Sequence, residues 1–294
     1  MAIKGKLIIV GGAEDKGRPQ DVPKNAGDND TAVDEYYEKG ILHRIVQESV
    51  KKEKSRIEIV TTASTLPKEI GKDYKEAFGR LNAKNTGILE IENREQAGDE
   101  QILKRLEKAD VVMITGGDQL RLTSILGGTP FLSLLQEKYQ KEDFIYAGSS
   151  AGAAAASNNM VFQGTSDLAL YKGKVRLTSG LGMINDVVID THFITRGRIG
   201  RLLQAVVANP RIIGIGLEEN AALMVTNGTK MEAIGPGMSI IVDGRGIVDS
   251  NFNDIDDGQS ISIENVTLHV MSKYDIYHLD RFKLNIDHSN NRDE

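Results

Sequence analysis

No cysteine occurs anywhere in the 294 residues. Disulfide staples, thiolate metal ligands and cysteine nucleophiles are excluded by that alone. Long apolar runs are also missing, and no stretch reaches the roughly 20 residues that a membrane-spanning helix requires. The opening Met1-Ala2-Ile3-Lys4-Gly5-Lys6-Leu7 has no extended apolar core ahead of a small-residue cleavage site, so no signal peptide is expected. Nor is there a basic surplus: the net charge is -6, whereas nucleic acid rewards clustered Lys and Arg. These absences point to a soluble, cytoplasmic protein with no nucleic-acid and no membrane partner.

What remains suits an enzyme. Hydrophobic residues make up 40% of the chain, enough for a real core, and 30 glycines fit a loop-rich fold. A large α/β sheet can occupy this length as one domain. One hydrolytic domain is expected over residues 1–286, followed by a polar, frayed tail at 287–294.

Short apolar runs recur at residues 7–10, 56–60, 87–91, 110–114, 144–147, 187–189 and 212–215. Continuous runs of this length suit strands buried on both faces, as in a mostly parallel sheet. Amphipathic segments separate them, at residues 31–52, 66–81, 99–108 and 198–208. The alternation predicts an α/β fold with helices covering a central sheet. After Asn220, strand-like runs at 221–226, 238–242 and 260–270 are separated by turn residues, which predicts added antiparallel strands. Residues 15–30 read as a loop.

The polar clusters follow the strand-like runs. Gly11-Gly12, residues 115–119, residues 148–152, residues 190–192 and Glu218-Glu219 all stand where a strand should end. Sites in open α/β sheets lie outside the carboxyl ends of the strands, so these clusters are expected to converge.

Gly148-Ser149-Ser150-Ala151-Gly152 fits the G-x-S-x-G elbow between a strand and a helix. A sharp turn there pushes the Ser150 hydroxyl out of the sheet, and small neighbours leave room for the strained backbone. The free N–H groups of the following helix suit a developing oxyanion. Ser149 is the rival nucleophile, one place off the elbow. A serine needs a base, and five histidines are available: His43, His192, His269, His278 and His288. His192 alone closes a strand-like run at the expected face. The residue that orients its ring must be a carboxylate. Asp190, Glu218 and Glu219 qualify, and alternation along a strand does not choose between the two glutamates. The order Ser…His…Glu differs from that of α/β-hydrolases.

These residues, taken together, carry a resemblance. Gly11-Gly12-Ala13-Glu14-Asp15-Lys16, Thr115-Gly116-Gly117-Asp118-Gln119, the elbow, Asp190-Thr191-His192-Phe193, Arg196-Gly197-Arg198 with Arg201, and Gly214-Ile215-Gly216-Leu217-Glu218-Glu219 occur in order. From Leu7 to about Thr226 the chain resembles the cyanophycinases, a peptidase family that also contains aspartyl dipeptidase. The resemblance implies an α/β fold related to class I glutamine amidotransferases. It implies hydrolysis of cyanophycin, an aspartate backbone bearing arginine on each side-chain carboxyl, to β-aspartyl-arginine dipeptides, and commonly a homodimer. It assigns the triad to Ser150, His192 and Glu219, which selects Glu219 over Glu218. It assigns substrate binding to Gln119, Asp190, Arg196, Arg198 and Arg201, with Asp190 suited to a substrate guanidinium and the arginines to substrate carboxylates. Thr191 stands where these enzymes often carry Gln, which changes one hydrogen bond in the pocket. The N–H groups of Gly117 and Ala151 are the candidate oxyanion donors. No His-Glu-x-x-His motif or Cys/His cluster is present, so chemistry without metal or cofactor is expected.

Overall fold

The computed structural model describes residues 3–17 and 39–289. Most of the expected loop at 15–30, residues 31–38 of the expected helix at 31–52 and the tail beyond 289 lie outside the described residues. Within the described part of that stretch, α1 (Ile41–Glu48) buries Ile41, Leu42, Ile45 and Val46 on one side and stops at Ser49, short of the expected end at Lys52. The 3.6-residue period that marked it in the sequence is the period of that buried stripe.

Five strands form the parallel half of a nine-stranded sheet: β1 (Lys6–Val10), β2 (Ile57–Val60), β3 (Thr86–Leu89), β4 (Val111–Ile114) and β5 (Ile145–Ser149). They lie in the order β1-β5-β4-β2-β3. Their continuous apolar runs have a direct cause. Successive side chains point to opposite faces, and each face has its own core. Leu7, Ile9, Val112, Ile114 and Tyr146 pack on one side, and Ile8, Val10, Val111, Met113, Ile145 and Ala147 on the other. Burying such a side chain contributes about 1.5–3 kcal/mol, so a one-residue slip would be costly on both faces.

Helices cover both faces. α1 and α2 (Pro67–Arg80) lie over the second core, with Tyr74, Ala77 and Phe78 turned inward. α3 (Glu100–Glu107), α4 (Gln119–Leu126) and α5 (Pro130–Lys141) supply Leu106, Leu122, Leu126, Phe131 and Leu135 to the first. Asp99 caps α3 through the Gln101 and Ile102 N–H groups, and Pro67 opens α2 where no intrahelical N–H is needed. α4 and α5 were not marked out in the sequence, because their apolar stripes run together through the short Gly127-Gly128 link.

A short helix α6 (Ala151–Ala154) follows β5 directly. A hairpin of β6 (Asn159–Gln163) and β7 (Arg176–Ser179) comes next; the sequence reading missed it, since β7 is largely exposed. The sequence also implied that all the strand ends belong to one sheet. Instead β8 (Val187–Thr191) and β9 (Ile213–Leu217) pair parallel in a second, four-stranded sheet. That sheet packs Val187, Ile189, Ile213, Ile215 and Leu217 into the first core. Its other face holds Val188 under Leu202, Ala205 and Val206 of α7 (Ile199–Ala208).

The antiparallel additions divide between the sheets. β10 (Ala222–Thr226) pairs with β1, and β11 (Lys230–Ala233) extends beyond it. β12 (Ser239–Asp243) joins β9. β13 (Asp249–Ser250) and β14 (Ile263–Glu264) form a small ribbon. β15 (Thr267–Met271) edges the second sheet, and β16 (Ile276–His278) and β17 (Lys283–Asn285) edge the first. The run at 260–270 is therefore two strands, broken at Asn265, whose φ of 67° turns the chain. Among the described residues no helix is long and apolar enough to cross a membrane.

Candidate active site

The carboxyl ends of β5, β8 and β9 deliver three side chains to one point. Ser150 follows β5 at φ 48°, ψ -103°, a conformation that costs a non-glycine residue about 1–3 kcal/mol. Its surroundings hold it there. Its N–H donates to the Val10 carbonyl at 2.9 Å. A Cβ on Gly148 would fall 2.5 Å from the Gly152 carbonyl, and one on Gly152 would fall 2.5 Å from the Ile114 carbonyl. The two glycines of the motif are thus demanded by the turn itself. The Tyr146 hydroxyl pins the helix side by donating to the Gly152 carbonyl at 2.7 Å.

His192 closes β8, also at positive φ (50°), with its N–H bonded to the Gly11 carbonyl at 3.0 Å. Its Nε2 lies 3.1 Å from Ser150 Oγ, and its Nδ1 lies 2.7 Å from Glu219 Oε1. Serine, imidazole and carboxylate therefore form one continuous chain. With Glu219 accepting from Nδ1–H, Nε2 is left with a lone pair toward the hydroxyl, the tautomer that suits proton abstraction. Non-glycine residues at positive φ cluster around this chain: Ala13 (49°), Ser150, His192 and Asn220 (54°).

The two glutamates that alternation could not separate diverge. Glu218 turns away and caps the loop after His192, accepting from the Ile194 and Thr195 N–H groups and the Thr195 hydroxyl. Burial pushes its carboxyl up, but these hydrogen bonds outweigh that and hold it below its usual value.

Gly116 lies beside the elbow: a Cβ there would be 3.4 Å from Ser150 Cβ. Gly117 has φ 143°, and a Cβ on it would fall 2.1 Å from the Ala63 carbonyl. The β2–α2 loop therefore requires glycine at 117. Ala151 is the first residue of α6, so its N–H is among those without an intrahelical acceptor.

Among the expected substrate residues, Asp190, Arg198 and Arg201 are joined by ion pairs, and Gln119 makes a separate contact. Gln119 opens α4 and donates to the Val161 carbonyl at 3.2 Å. Asp190 is only 2% exposed, below His192 on β8. Its Oδ1 accepts from Arg198 Nη1 at 3.1 Å and from the Thr191 N–H at 3.0 Å. Its Oδ2 lies 2.9 Å from Arg201 Nε, an ion pair without hydrogen-bond alignment. Arg198 also donates to the Thr191 carbonyl, and Arg201 to the Gly164 carbonyl. The chain's own arginines thus occupy the carboxylate that was expected to meet a substrate guanidinium. Thr191 is buried, whereas Arg196 is exposed at the rim.

Glu14 belongs to the stretch at residues 11–16, where the sequence alone assigns it no role. It is buried against the elbow, accepting from Ser149 Oγ at 2.6 Å, Lys16 Nζ at 2.9 Å and the Tyr74 hydroxyl. The available signal was an acidic residue two places after the Gly11-Gly12 turn that follows β1. Ser149, the rival nucleophile, is committed to this bond and lies away from His192. Among the described residues no group of three or more His, Cys, Asp or Glu side chains is arranged to hold a metal ion.

A mostly parallel α/β sheet with a serine elbow and an adjacent histidine–carboxylate pair defines a hydrolase-like class, and comparison with known proteins agrees. Residues 29–233 match the model of peptidase family S51. The chain is 31% identical over 278 residues to a cyanophycinase from Trichormus variabilis, covering 95% of this chain and 87% of that protein. It is 29% identical over 279 residues to a cyanophycinase from Geminocystis herdmanii, covering 94% of each. A solved peptidase from an acI-B1 Actinobacterium shares the fold, with a TM-score of 0.59 and 19% identity over 92% of this chain and 98% of that one. The chain belongs to peptidase family S51, and it is a peptidase.

Proposed function

We propose that this chain is a serine-type exopeptidase that hydrolyses cyanophycin to β-aspartyl-arginine dipeptides through an acyl-enzyme. The observation that carries the proposal is the unbroken chain from Ser150 Oγ through His192 to Glu219, at 3.1 and 2.7 Å. Ser150 attacks the backbone amide carbonyl while His192 takes its proton. Glu219 fixes the ring and stabilises the imidazolium. The Ala151 and Gly117 N–H groups receive the oxyanion. His192 then protonates the leaving amine and activates the water that releases the acyl group.

The substrate class is supported by the likeness to the two cyanophycinases and by the local chemistry. Exposed Arg196 offers a planar donor fork to the free α-carboxylates of the arginines that the polymer carries. Gln119, Asp190, Thr191, Arg198 and Arg201 complete the proposed pocket. In this reading Asp190 acts chiefly by holding Arg198 and Arg201. We further infer one hydrolytic domain over residues 1–286, since the triad draws on strands of both sheets, a homodimer, as the resemblance implies, and a cytoplasmic location.

The test is incubation with purified cyanophycin and identification of products by mass. The proposal predicts β-aspartyl-arginine as the product. An enzyme that leaves the polymer intact and cleaves short aspartyl peptides instead would be the related dipeptidase.

A further inference from the structure

The segment from Val10 to Asp15 touches every strand end that carries a triad residue. The Val10 carbonyl accepts from the Ser150 N–H, the Gly11 carbonyl from the His192 N–H, and the Gly12 carbonyl from the Asn220 N–H, beside Glu219. The Asp15 N–H in turn donates to Asn220 Oδ1 at 3.3 Å. Three elements far apart in sequence are thereby indexed to one turn.

One side chain in this turn reaches into the elbow. Glu14 is 2% exposed, and its Oε2 accepts from Ser149 Oγ at 2.6 Å. Its Oε1 accepts from Lys16 Nζ at 2.9 Å and from the Tyr74 hydroxyl on α2. Lys16 Nζ also lies 4.7 Å from the centre of the Tyr74 ring. Burial pushes the Glu14 carboxyl up, but the Lys16 ammonium and the hydrogen bonds from Ser149, Tyr74 and Lys16 outweigh it and hold the group ionised. A buried, ionised carboxylate is expensive unless its hydrogen bonds are filled, and these are. Its reach matters because Ser149 is the residue immediately before the strained Ser150. Fixing the Ser149 side chain restricts the peptide that sets both the Ser150 hydroxyl and the Ala151 N–H.

We propose that Glu14 is a positioning residue for the reaction: through the Ser149 hydroxyl it holds the nucleophile elbow in its strained conformation against the turn that also carries His192 and Asn220. The inference rests on Ser150 being the nucleophile. Glu14 and Ser149 act as a unit in this role, so removing either breaks the same tie. The effect falls on the rate of attack by Ser150 and leaves substrate binding largely alone, because neither side chain reaches the surface.

The test is the rate at which a fluorophosphonate probe labels the purified full chain, with kcat and KM on cyanophycin measured beside it. The variants are Glu14→Gln, Ser149→Ala, the double variant and Ser150→Ala, each checked by thermal melting and assayed well below its midpoint. The expected result is no labelling of Ser150→Ala. Each single variant should label about tenfold more slowly, with kcat reduced in step and KM little changed, and the double variant should be no slower than the slower single one. Wild-type labelling by a folded Glu14→Gln or Ser149→Ala, while Ser150→Ala stays unlabelled, would overturn this inference and leave the nucleophile assignment standing. So would single effects that multiply in the double variant. Labelling of Ser150→Ala at the wild-type rate would instead remove the nucleophile assignment. Should Glu14→Gln fail to fold, Ser149→Ala decides alone, since it only deletes a hydroxyl.

Discussion

Gly12 lies under the imidazole of His192. A Cβ built on Gly12 would fall 2.5 Å from both Cε1 and Nε2 of that ring, and the Gly12 backbone has φ 101°. The glycine is therefore required twice, by its own conformation and by the ring above it. Gly12→Ala should displace His192 from Ser150 Oγ. A shift of about 1 Å in such a pair costs roughly a hundredfold in rate. Steady-state kcat on cyanophycin, with circular dichroism to confirm folding, checks this. Undiminished kcat would mean that the ring position does not control the rate.

Glu219 is the only carboxylate within hydrogen-bond distance of His192 Nδ1 among the described residues. Glu219→Gln keeps the shape but presents a neutral group that permits the wrong tautomer and does not stabilise the imidazolium. The expected loss in kcat is about a thousandfold. Glu218→Gln should leave the rate nearer wild type, because Glu218 serves the loop at Ile194 and Thr195. Parallel kinetics of the two variants test the choice. Equal losses would show that the carboxylates are interchangeable.

Asp190 separates two roles by stability. If it holds Arg198 and Arg201, Asp190→Asn leaves two partly buried guanidiniums without their counter-charge. Breaking a buried pair in this way costs about 3–5 kcal/mol. Denaturant unfolding should therefore report a large destabilisation. A raised KM at unchanged stability would instead place Asp190 in direct contact with substrate.

Glu14 should shape the acid limb of the stability curve. Its folded-state affinity for a proton is below that set by the ordinary value of 4.5, chiefly because Lys16 and its hydrogen bonds overcome the opposing effect of burial. The unfolded chain therefore takes up the proton first. The contribution is complete above the unfolded value and is lost as the pH falls through the folded one. Wild type should lose stability steeply below about pH 4.5. Glu14→Gln should be less stable at neutral pH and flatter in acid. Identical acid limbs in urea melts would contradict this reading of Glu14.

The sequence already carried the alternation of strands and helices, because burial on two faces leaves continuous apolar runs such as Leu7-Ile8-Ile9-Val10 and Val111-Val112-Met113-Ile114. The elbow was legible too, since Gly148 and Gly152 stand where no side chain fits. The division into two sheets was not. Val187 and Val188 look the same in sequence whether they extend the first sheet or lie across it, and only the cores they join distinguish the two. The choice between Glu218 and Glu219 also escaped the pattern: the chain turns at Asn220, beyond the last paired residue of β9, where strand alternation no longer applies. Asp190 and Arg201 stand eleven places apart and on different elements, so their pairing needs the fold. The Glu14–Ser149 bond spans 135 positions, and nothing local announces it.

The account depends most on Ser150 as the attacking group. Labelling the intact protein with a fluorophosphonate, digesting it and mapping the adduct by tandem mass spectrometry tests that directly. One adduct is predicted, on the Ser150 hydroxyl, absent from a folded Ser150→Ala protein that also leaves cyanophycin uncut. An adduct on Ser149, or polymer cleavage at the wild-type rate by Ser150→Ala, would contradict it.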